Sequence, residues 1–147
     1  MSTLERALEI AAKAHAGKLD KAGAPYILHP LRVMLRLETE PERITAVLHD
    51  VVEDCPDWSI KRLRREGFSE EILLALRAVT KRKGEAYMNF VRRAACNRIG
   101  RRVKLADLRD NADLSRIPHP SPKDRKRTAK YLRAMALIAL VPEPKPE

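Results

Sequence analysis

Apolar residues recur at helical spacing along most of the chain. Near the start, Leu4, Leu8, Ala11 and Ala12 lie on one face of a first helix. Similar patterns predict seven further helices, over residues 28–38, 41–53, 58–66, 69–80, 85–97, 99–113 and 122–140. No stretch alternates apolar and polar residues for long enough to require a strand. The pattern therefore predicts an all-α fold.

Polar residues mark the expected ends of several helices. Ser2 and Glu5 have the spacing of a capping box before the first helix. Ser69, followed by two glutamates, and Ser121, followed by a proline, are typical N-terminal caps. The segment 142–147 alternates proline with charged residues. We expect residues 1–141 to form one domain and residues 142–147 to be a disordered tail.

Composition narrows the class of ligand. A chain of 147 residues fits one domain, and its formal charge of +10 suits a polyanionic ligand, either a phosphate-rich small molecule or nucleic acid. Aromatic residues make up only 4% of the chain, which argues against a stacking platform for single-stranded nucleic acid. We therefore expect a small-molecule nucleotide rather than nucleic acid as the partner.

Cysteine content and hydropathy bear on location. The two cysteines, Cys55 and Cys96, form no Cys-x-x-Cys pair, which suits a reducing compartment. The N-terminal residues lack the pattern of a signal peptide. The longest apolar run, residues 134–141, is much shorter than the roughly 20 residues that cross a bilayer. We expect a cytoplasmic protein with no membrane segment.

One predicted helix gathers several chemically active side chains. His49, Asp50, Glu53 and Asp54 fall within an arc of roughly 140° on a helix, opposite the valines of the same segment. The simpler alternative is a solvent-exposed acidic face that happens to contain a histidine. However, three crowded carboxylates repel one another unless a cation lies among them. The adjacent His–Asp pair offers one nitrogen and one oxygen donor, a mixture that suits manganese, iron or zinc better than calcium.

Two further residues are candidate metal ligands. His29 precedes Pro30 at the predicted start of a helix, and Asp107 lies within a later amphipathic helix. Taken alone, His29 is more often a helix-start histidine and Asp107 a surface acid. The combination of His29, His49, Asp50 and Asp107 is far more specific than any one of them.

The order H…HD…D resembles the HD-domain phosphohydrolases, which are helical bundles. Within that superfamily the chain resembles the alarmone hydrolases related to the hydrolase half of Rel and SpoT proteins, and their stand-alone small relatives. The resemblance runs from about residue 5 to residue 140. The matching segments are His15-Ala-Gly17, Lys21-Ala-Gly-Ala-Pro-Tyr-Ile-Leu-His-Pro30, Leu48-His-Asp-Val-Val-Glu-Asp54, Val79-Thr-Lys81, Val103-Lys-Leu-Ala-Asp107 with Asn111, and Arg127 with Tyr131.

The resemblance implies both a reaction and a set of site residues. It implies one manganese ion per chain, bound by His29, His49, Asp50 and Asp107, with Glu53 and Asp54 as the catalytic acids. It also implies substrate contacts from Lys21, Asn111, Arg127 and Tyr131, and Lys81 is a further candidate for neutralising phosphoryl charge. The reaction would remove the 3′-pyrophosphate of guanosine tetra- or pentaphosphate alarmones, converting ppGpp to GDP and pyrophosphate.

Some residues leave alternatives open. Asp20 stands where alarmone hydrolases commonly carry an arginine, so the base preference could differ. The same site could hydrolyse ppApp or NADPH. A non-catalytic basic module with a decayed HD fold is a second alternative, although retention of all four candidate ligands argues against it. His15 is expected to be a hydrogen-bonded core histidine, and the sequence does not decide whether Lys104 supports the site through a salt bridge.

Overall fold

The computed structural model describes residues 1–146, which contain eight helices and no strand. The only extended pairing in that range is an isolated bridge between Leu19 and Pro25. The all-α prediction is confirmed. The helices are α1 (Leu4–Ala14), α2 (Leu28–Leu35), α3 (Glu40–Asp54), α4 (Ile60–Arg65), α5 (Glu70–Ala78), α6 (Tyr87–Ala95), α7 (Arg98–Ala112) and α8 (Pro122–Leu140).

Every predicted helix is present, although several are shorter than expected. The prediction ran α2 on to residue 38, but α2 ends at Leu35 and Thr39 caps α3 from an extended backbone conformation. The predicted helix over 58–66 starts instead at Ile60, after the cap residue Ser59. Apolar spacing continues across these junctions, so it does not reveal where a cap interrupts the helix.

The caps of two helices are confirmed and one is corrected. Ser69 caps α5, and Ser121 caps α8 in a capping box with Asp124. The predicted capping box of Ser2 and Glu5 is wrong, because Thr3 accepts the backbone N–H of Arg6 at the start of α1. The Ser2 hydroxyl instead donates to the backbone carbonyl of Glu66, which ties the N-terminus to the end of α4.

Helix α3 lies at the centre of the fold and packs against α1, α2, α5 and α7. Val47, Leu48 and Val51 have no exposed surface and pack in one core cluster with apolar residues of α1, α4 and α5. A second cluster joins α2, α3, α5, α6 and α7, and a third joins α6, α7 and α8. The apolar face of α3 is thus fixed in the core, which directs its His–Asp face towards α2 and α7.

The C-terminal segment has no helical structure over residues 142–146. Arg101 donates hydrogen bonds to the backbone carbonyls of Val141 and Pro142, 2.7 and 3.2 Å away. Disorder of residues 142–147 stays a prediction, and Glu147 lies outside the described residues. Among residues 1–146 no helix has the length and apolar character needed to cross a membrane.

Candidate metal centre and adjoining cavity

Three helices bring the four predicted metal ligands together. His29 lies in the first turn of α2, His49 and Asp50 lie in α3, and Asp107 lies in α7. All four are buried, with between 3% and 8% of their surface exposed. Burial of two carboxylates and two imidazoles at one point is costly unless the charges compensate one another or a cation.

The nitrogen and oxygen atoms of these residues converge. His29 Nε2 lies 2.9 Å from Asp107 Oδ1 and 3.5 Å from Asp50 Oδ2. His49 Nε2 lies 3.2 Å from Asp50 Oδ1 and 3.5 Å from Asp107 Oδ1. His29, His49 and Asp50 can each offer one ligand atom with all three atoms within 4.8 Å of one another. They therefore form a candidate metal site, with Asp107 in contact with both histidines.

The His49 ring shows that this group fits a cation. Its Nδ1 lies 2.5 Å from the backbone carbonyl of Ala46, which can only accept, so Nδ1 carries a proton. Its Nε2 is buried and has no hydrogen-bond partner among residues 1–146, because the two nearby carboxylates approach outside hydrogen-bonding geometry. A buried imidazole nitrogen that lies between two carboxylate oxygens is a suitable metal donor once the metal displaces its proton.

The outer nitrogen of His29 is bound by an aspartate that sequence reasoning missed. His29 Nδ1 lies 2.6 Å from Asp110 Oδ2, and Asp110 is fully buried. Arg32 donates to the same carboxylate, from Nε to Oδ1 at 2.8 Å and from Nη2 to Oδ2 at 3.1 Å. The spacing of Asp110 three residues after Asp107, on one face of α7, was the available signal.

The two predicted aspartate ligands also contact neighbouring side chains. The hydroxyl of Tyr26 donates to Asp50 Oδ2 over 2.6 Å. Lys104 Nζ lies 3.2 Å from Asp107 Oδ2, and the amide of Asn111 donates to Asp107 Oδ1 over 3.1 Å. The salt bridge that the sequence left open for Lys104 is therefore present. These contacts restrict the carboxylates to one orientation, as expected of residues that support a metal site.

Protein charges shift the pKa values of the histidines and of Asp107. Burial lowers the pKa of His29, but hydrogen bonds to Asp107 and Asp110 outweigh it and raise the pKa to about 9. Burial also opposes the charge on His49, yet Asp50 and Asp107 raise its pKa to about 10. Burial alone would raise the pKa of Asp107. The charge of Lys104 and the contacts with the two imidazoles outweigh burial and hold this pKa well below its usual range. Without a metal, the neighbouring carboxylates therefore favour the protonated form of both imidazoles. The cluster of four residues thus strongly favours a positive charge at its centre.

Glu53 and Asp54 lie on the last turn of α3, close to the metal-ligand group but outside it. Both residues are exposed. Desolvation and the charge of Asp50 raise the pKa of each carboxyl. Lys104 lowers the pKa of Glu53 and Lys18 lowers that of Asp54, so the two acids face different neighbours. Their raised pKa values suit groups that hold or transfer a proton.

A cavity of about 390 Å³ adjoins His29. Four of the five predicted substrate contacts line it, namely Lys21, Asn111, Arg127 and Tyr131. The fifth, Lys81, is exposed in the turn between α5 and α6 and does not line the cavity. Glu53 and Asp54 do not line it either. Arg32 and Arg116 do, and sequence reasoning did not single them out.

Asp20 also lines the cavity, but one of its oxygens is already engaged. Oδ1 accepts the backbone N–H groups of Ala22 and Ala24, both at 2.9 Å. The side chain therefore organises its own loop, in the manner of an Asx-turn. Only the second oxygen is left to meet a ligand.

His15 differs from its prediction in one respect. It is buried in the core as expected, and its ring lies 5.0 Å from that of Tyr26. However, neither ring nitrogen has a hydrogen-bond partner among residues 1–146, so the predicted hydrogen bond is absent there. Burial lowers the pKa of His15, which favours the neutral imidazole.

Comparisons with known proteins agree with this architecture. The chain is 33% identical over 119 residues to a guanosine-3′,5′-bis(diphosphate) 3′-pyrophosphohydrolase of Aquifex aeolicus, covering 75% of this chain and 17% of that protein. It is 32% identical over 139 residues to a probable GTP pyrophosphokinase of Mycobacterium leprae, covering 86% of this chain and 17% of that protein. The chain thus spans less than a fifth of the length of these relatives. No protein-family model matches it.

A solved structure matches the fold along nearly the whole chain. It belongs to a metazoan ortholog of SpoT that hydrolyzes ppGpp and plays a role in starvation responses. The TM-score is 0.74 at 22% sequence identity, and the match covers 96% of this chain and 88% of the other. The chain is therefore a relative of the hydrolase domain of Rel and SpoT proteins and has its HD-domain helical fold.

Proposed function

We propose that this protein is a manganese-dependent hydrolase that removes the 3′-pyrophosphate from guanosine tetra- and pentaphosphate alarmones. The observation that carries the proposal is the buried group of two histidines and two aspartates beside a cavity lined in part by basic side chains. Within this group, His49 Nε2 has no hydrogen-bond partner among residues 1–146. A cavity of this size falls within the usual range for small-molecule sites, roughly 300–1,000 Å³. The names of the relatives and of the solved structure support the same reaction.

His29, His49, Asp50 and Asp107 would hold one manganese ion. Two nitrogen and two oxygen donors suit a first-row divalent metal of this kind. A bound metal of this class lowers the pKa of water and stabilises charge on phosphoryl oxygens. Neighbouring side chains would keep the carboxylate donors in position. Tyr26 donates a hydrogen bond to Asp50, and Lys104 forms a salt bridge with Asp107.

Glu53 and Asp54 would act as the general acid and base near the reacting phosphorus. Desolvation and Asp50 raise the pKa of both carboxyls, so each can exchange a proton more readily near neutral pH than an isolated acid. Both lie within about one turn of Asp50, since α3 is helical through Asp54. One of them would take a proton from the attacking water as its oxygen bonds to phosphorus, and a proton would pass to the ribose 3′-oxygen as the bond between that oxygen and phosphorus breaks, which gives GDP and pyrophosphate.

The nucleotide would occupy the cavity next to His29. Lys21, Arg32 and Arg127 would neutralise its phosphates, and Tyr131 offers an aromatic face in the same wall. Asn111 donates to Asp107 and also lines the cavity, so it would connect substrate binding with a metal ligand. A cavity of this size suits a single nucleotide better than a nucleic-acid chain. The protein would meet this nucleotide in the cytoplasm.

Adenine alarmones are a second candidate substrate. Asp20 presents a carboxylate to the cavity, where it can accept a hydrogen bond but cannot provide a cation against a purine ring. An amino group on the base, present in both adenine and guanine, is a suitable donor to the free oxygen of Asp20. Base preference would therefore be weaker than pyrophosphate recognition.

A substrate panel tests the proposal. Purified protein with manganese would be offered ppGpp, ppApp and NADPH, and the products would be scored as pyrophosphate or as phosphate. We expect pyrophosphate and a nucleoside diphosphate from ppGpp, no activity after chelation, and restoration by manganese. A folded, manganese-loaded protein that releases phosphate from NADPH and leaves ppGpp intact would refute the proposal.

A further inference from the structure

We propose that Asp110 is a positioning residue that fixes the metal ligand His29 and the cavity residue Arg32 through one buried carboxylate. The inference rests on the proposed function, because it assumes that His29 binds metal and that the cavity binds nucleotide. It assigns a role to a residue that lies behind the metal-ligand group and does not itself contribute a ligand.

The contacts of Asp110 use both of its oxygens. Oδ2 accepts from His29 Nδ1 at 2.6 Å, and Oδ1 accepts from Arg32 Nε at 2.8 Å. Arg32 Nη2 also donates to Oδ2, over 3.1 Å, so the Arg32 contact is bidentate. Arg116 Nη2 lies 3.6 Å from the same oxygen. Asp110 has no exposed surface, so these groups take the place of solvent around its carboxylate. A buried carboxylate with two guanidinium groups and an imidazole around it is satisfied and rigid.

The first consequence concerns His29. An ionised carboxylate only accepts hydrogen bonds, so the proton between His29 and Asp110 belongs to His29 Nδ1. When a metal displaces the proton on Nε2, the Nδ1 proton stays on the Asp110 side, so Nε2 is the nitrogen that faces the metal between Asp50 and Asp107. Carboxylates that hold a histidine ligand in this way typically contribute a factor of about 10–100 in metal affinity.

The second consequence concerns Arg32. Asp110 engages the Nε and Nη2 edge of the guanidinium, which holds the side chain against α7 while it still lines the cavity. The Nη1 group makes no hydrogen bond within residues 1–146 and remains a donor for an anionic ligand. A guanidinium held in advance loses less freedom when it binds a phosphate than a free side chain does. Asp110 thereby links the metal side and the nucleotide side of the site.

Two variants separate these consequences. Asp110→Asn keeps the shape but cannot accept with the same strength or fix the tautomer, so manganese should bind about 10–100-fold more weakly and KM should rise. Arg32→Gln leaves His29 and Asp110 in contact, so manganese affinity should stay within about threefold of wild type while KM rises about tenfold, as for the loss of a charge-assisted hydrogen bond.

The control is a second buried acid, which pairs with a half-exposed arginine. Glu42 is 5% exposed and lies 3.0 Å from Arg102, at the opposite end of α3 from Asp50. Glu42→Gln removes a comparable ion pair without touching the site, so manganese affinity and KM should not change. If Asp110→Asn does not fold, Asp110→Glu keeps the charge but displaces the acceptor from Nδ1, and it should weaken manganese binding several-fold.

The measurement is manganese titration of the metal-free protein, followed by KM for ppGpp at saturating manganese. A folded Asp110→Asn or Asp110→Glu protein that binds manganese as tightly as wild type would overturn the role of Asp110, while leaving the proposed function intact. Equal loss of manganese affinity in Glu42→Gln would also overturn it, by showing a general effect of buried charge. A wild-type protein that binds no manganese would overturn the proposed function itself, and this inference with it.

Discussion

The metal-ligand group and the cavity wall are built in different ways. The four predicted ligands lie on three helices whose positions are fixed by the core, and most of their side chains have a further hydrogen bond or ion pair to a neighbour. Much of the cavity wall comes from connecting segments, residues 19–22 and 113–117, and from the partly exposed first half of α8. Under the proposed function, the difference would place the hydrolytic chemistry in the rigid part of the site and the choice of nucleotide in segments that change more easily.

Removal of a direct ligand should have the largest effect. His49→Ala or Asp50→Ala should abolish stoichiometric manganese and ppGpp turnover together, because each variant removes a donor from the buried group. The matched control is His119→Ala, which alters an exposed histidine in the proline-rich connector. Metal analysis and product release on the same samples check the prediction, and full activity in either ligand variant would reject the site.

The acids beyond the ligands should separate metal binding from catalysis. Asp54→Asn should retain manganese and bind ppGpp, yet turn over about 100-fold or more slowly, the usual scale for a general acid–base group. Asp57→Asn is the control, since Asp57 is an exposed acid in the turn that follows α3. Loss of manganese in Asp54→Asn would place Asp54 among the ligands instead, and normal turnover would exclude a catalytic role.

Manganese affinity should rise with pH over the range set by the two histidines. The folded pKa values are about 9 for His29 and about 10 for His49, and a metal must displace these protons. Affinity should therefore increase by about tenfold per pH unit for each proton released, between neutral pH and about pH 9. Titration at several pH values measures this slope, and a flat profile would exclude both imidazoles as ligands.

The stability of the metal-free protein should change in the opposite direction. Both histidines have folded pKa values above the ordinary value of 6.5, so their contribution to stability is fully present below pH 6.5. It should be lost as pH rises through about 9 and 10, and saturating manganese should remove this dependence. Chemical unfolding at about pH 6, 8 and 10 measures the trend, which would be contradicted by stability that increases over that range without metal.

Basic residues that line the cavity should affect KM for ppGpp more than basic residues that lie outside it. Arg127→Ala should raise KM for ppGpp about tenfold, the loss expected for one charge-assisted hydrogen bond at a partly exposed site. Lys81→Ala should change KM little, because Lys81 does not line the cavity. Arg125→Ala, on the exposed side of α8, controls for net charge. A larger effect at Lys81 than at Arg127 would move the substrate away from this cavity.

Position 20 should have the smallest effect and should act on the base alone. A guanidinium over a purine contributes about 0.5–2 kcal/mol, so Asp20→Arg should change the ratio of kcat/KM for ppGpp and ppApp by about 2- to 30-fold. Asp20→Asn is the control, since its side-chain oxygen can keep both hydrogen bonds to the loop while the charge is lost. A strong guanine preference that neither variant alters would show that position 20 does not read the base.

The features predicted correctly from the sequence are those set by local spacing. The periodicity of apolar residues predicted all eight helices. The i, i+1 and i+4 spacing predicted that His49, Asp50 and Glu53 share one side of α3. His29 and Asp107 were candidate ligands by residue type and position, and the resemblance implied that they share one metal with His49 and Asp50, because no local rule brings α2 and α7 to α3.

The features that were missed depend on tertiary contacts. Ser2 and Thr3 are equally good caps by type, and only the distant carbonyl of Glu66 decides between them. Asp110 has the sequence pattern of an ordinary helix acid until folding buries it between His29 and Arg32. Lys81 does not line the cavity, so its contact with substrate stays a prediction. Long-range neighbours of this kind are not encoded in the periodicity of one segment.

Location of the metal tests the central claim most directly. Crystals of the wild-type protein with manganese would be measured at a wavelength where manganese scatters anomalously. We predict one strong anomalous peak per chain, within bonding distance of His29 Nε2, His49 Nε2 and the carboxylates of Asp50 and Asp107. A fully loaded crystal with no peak among these four residues, or with its only peak beside Glu53 and Asp54, would contradict that assignment.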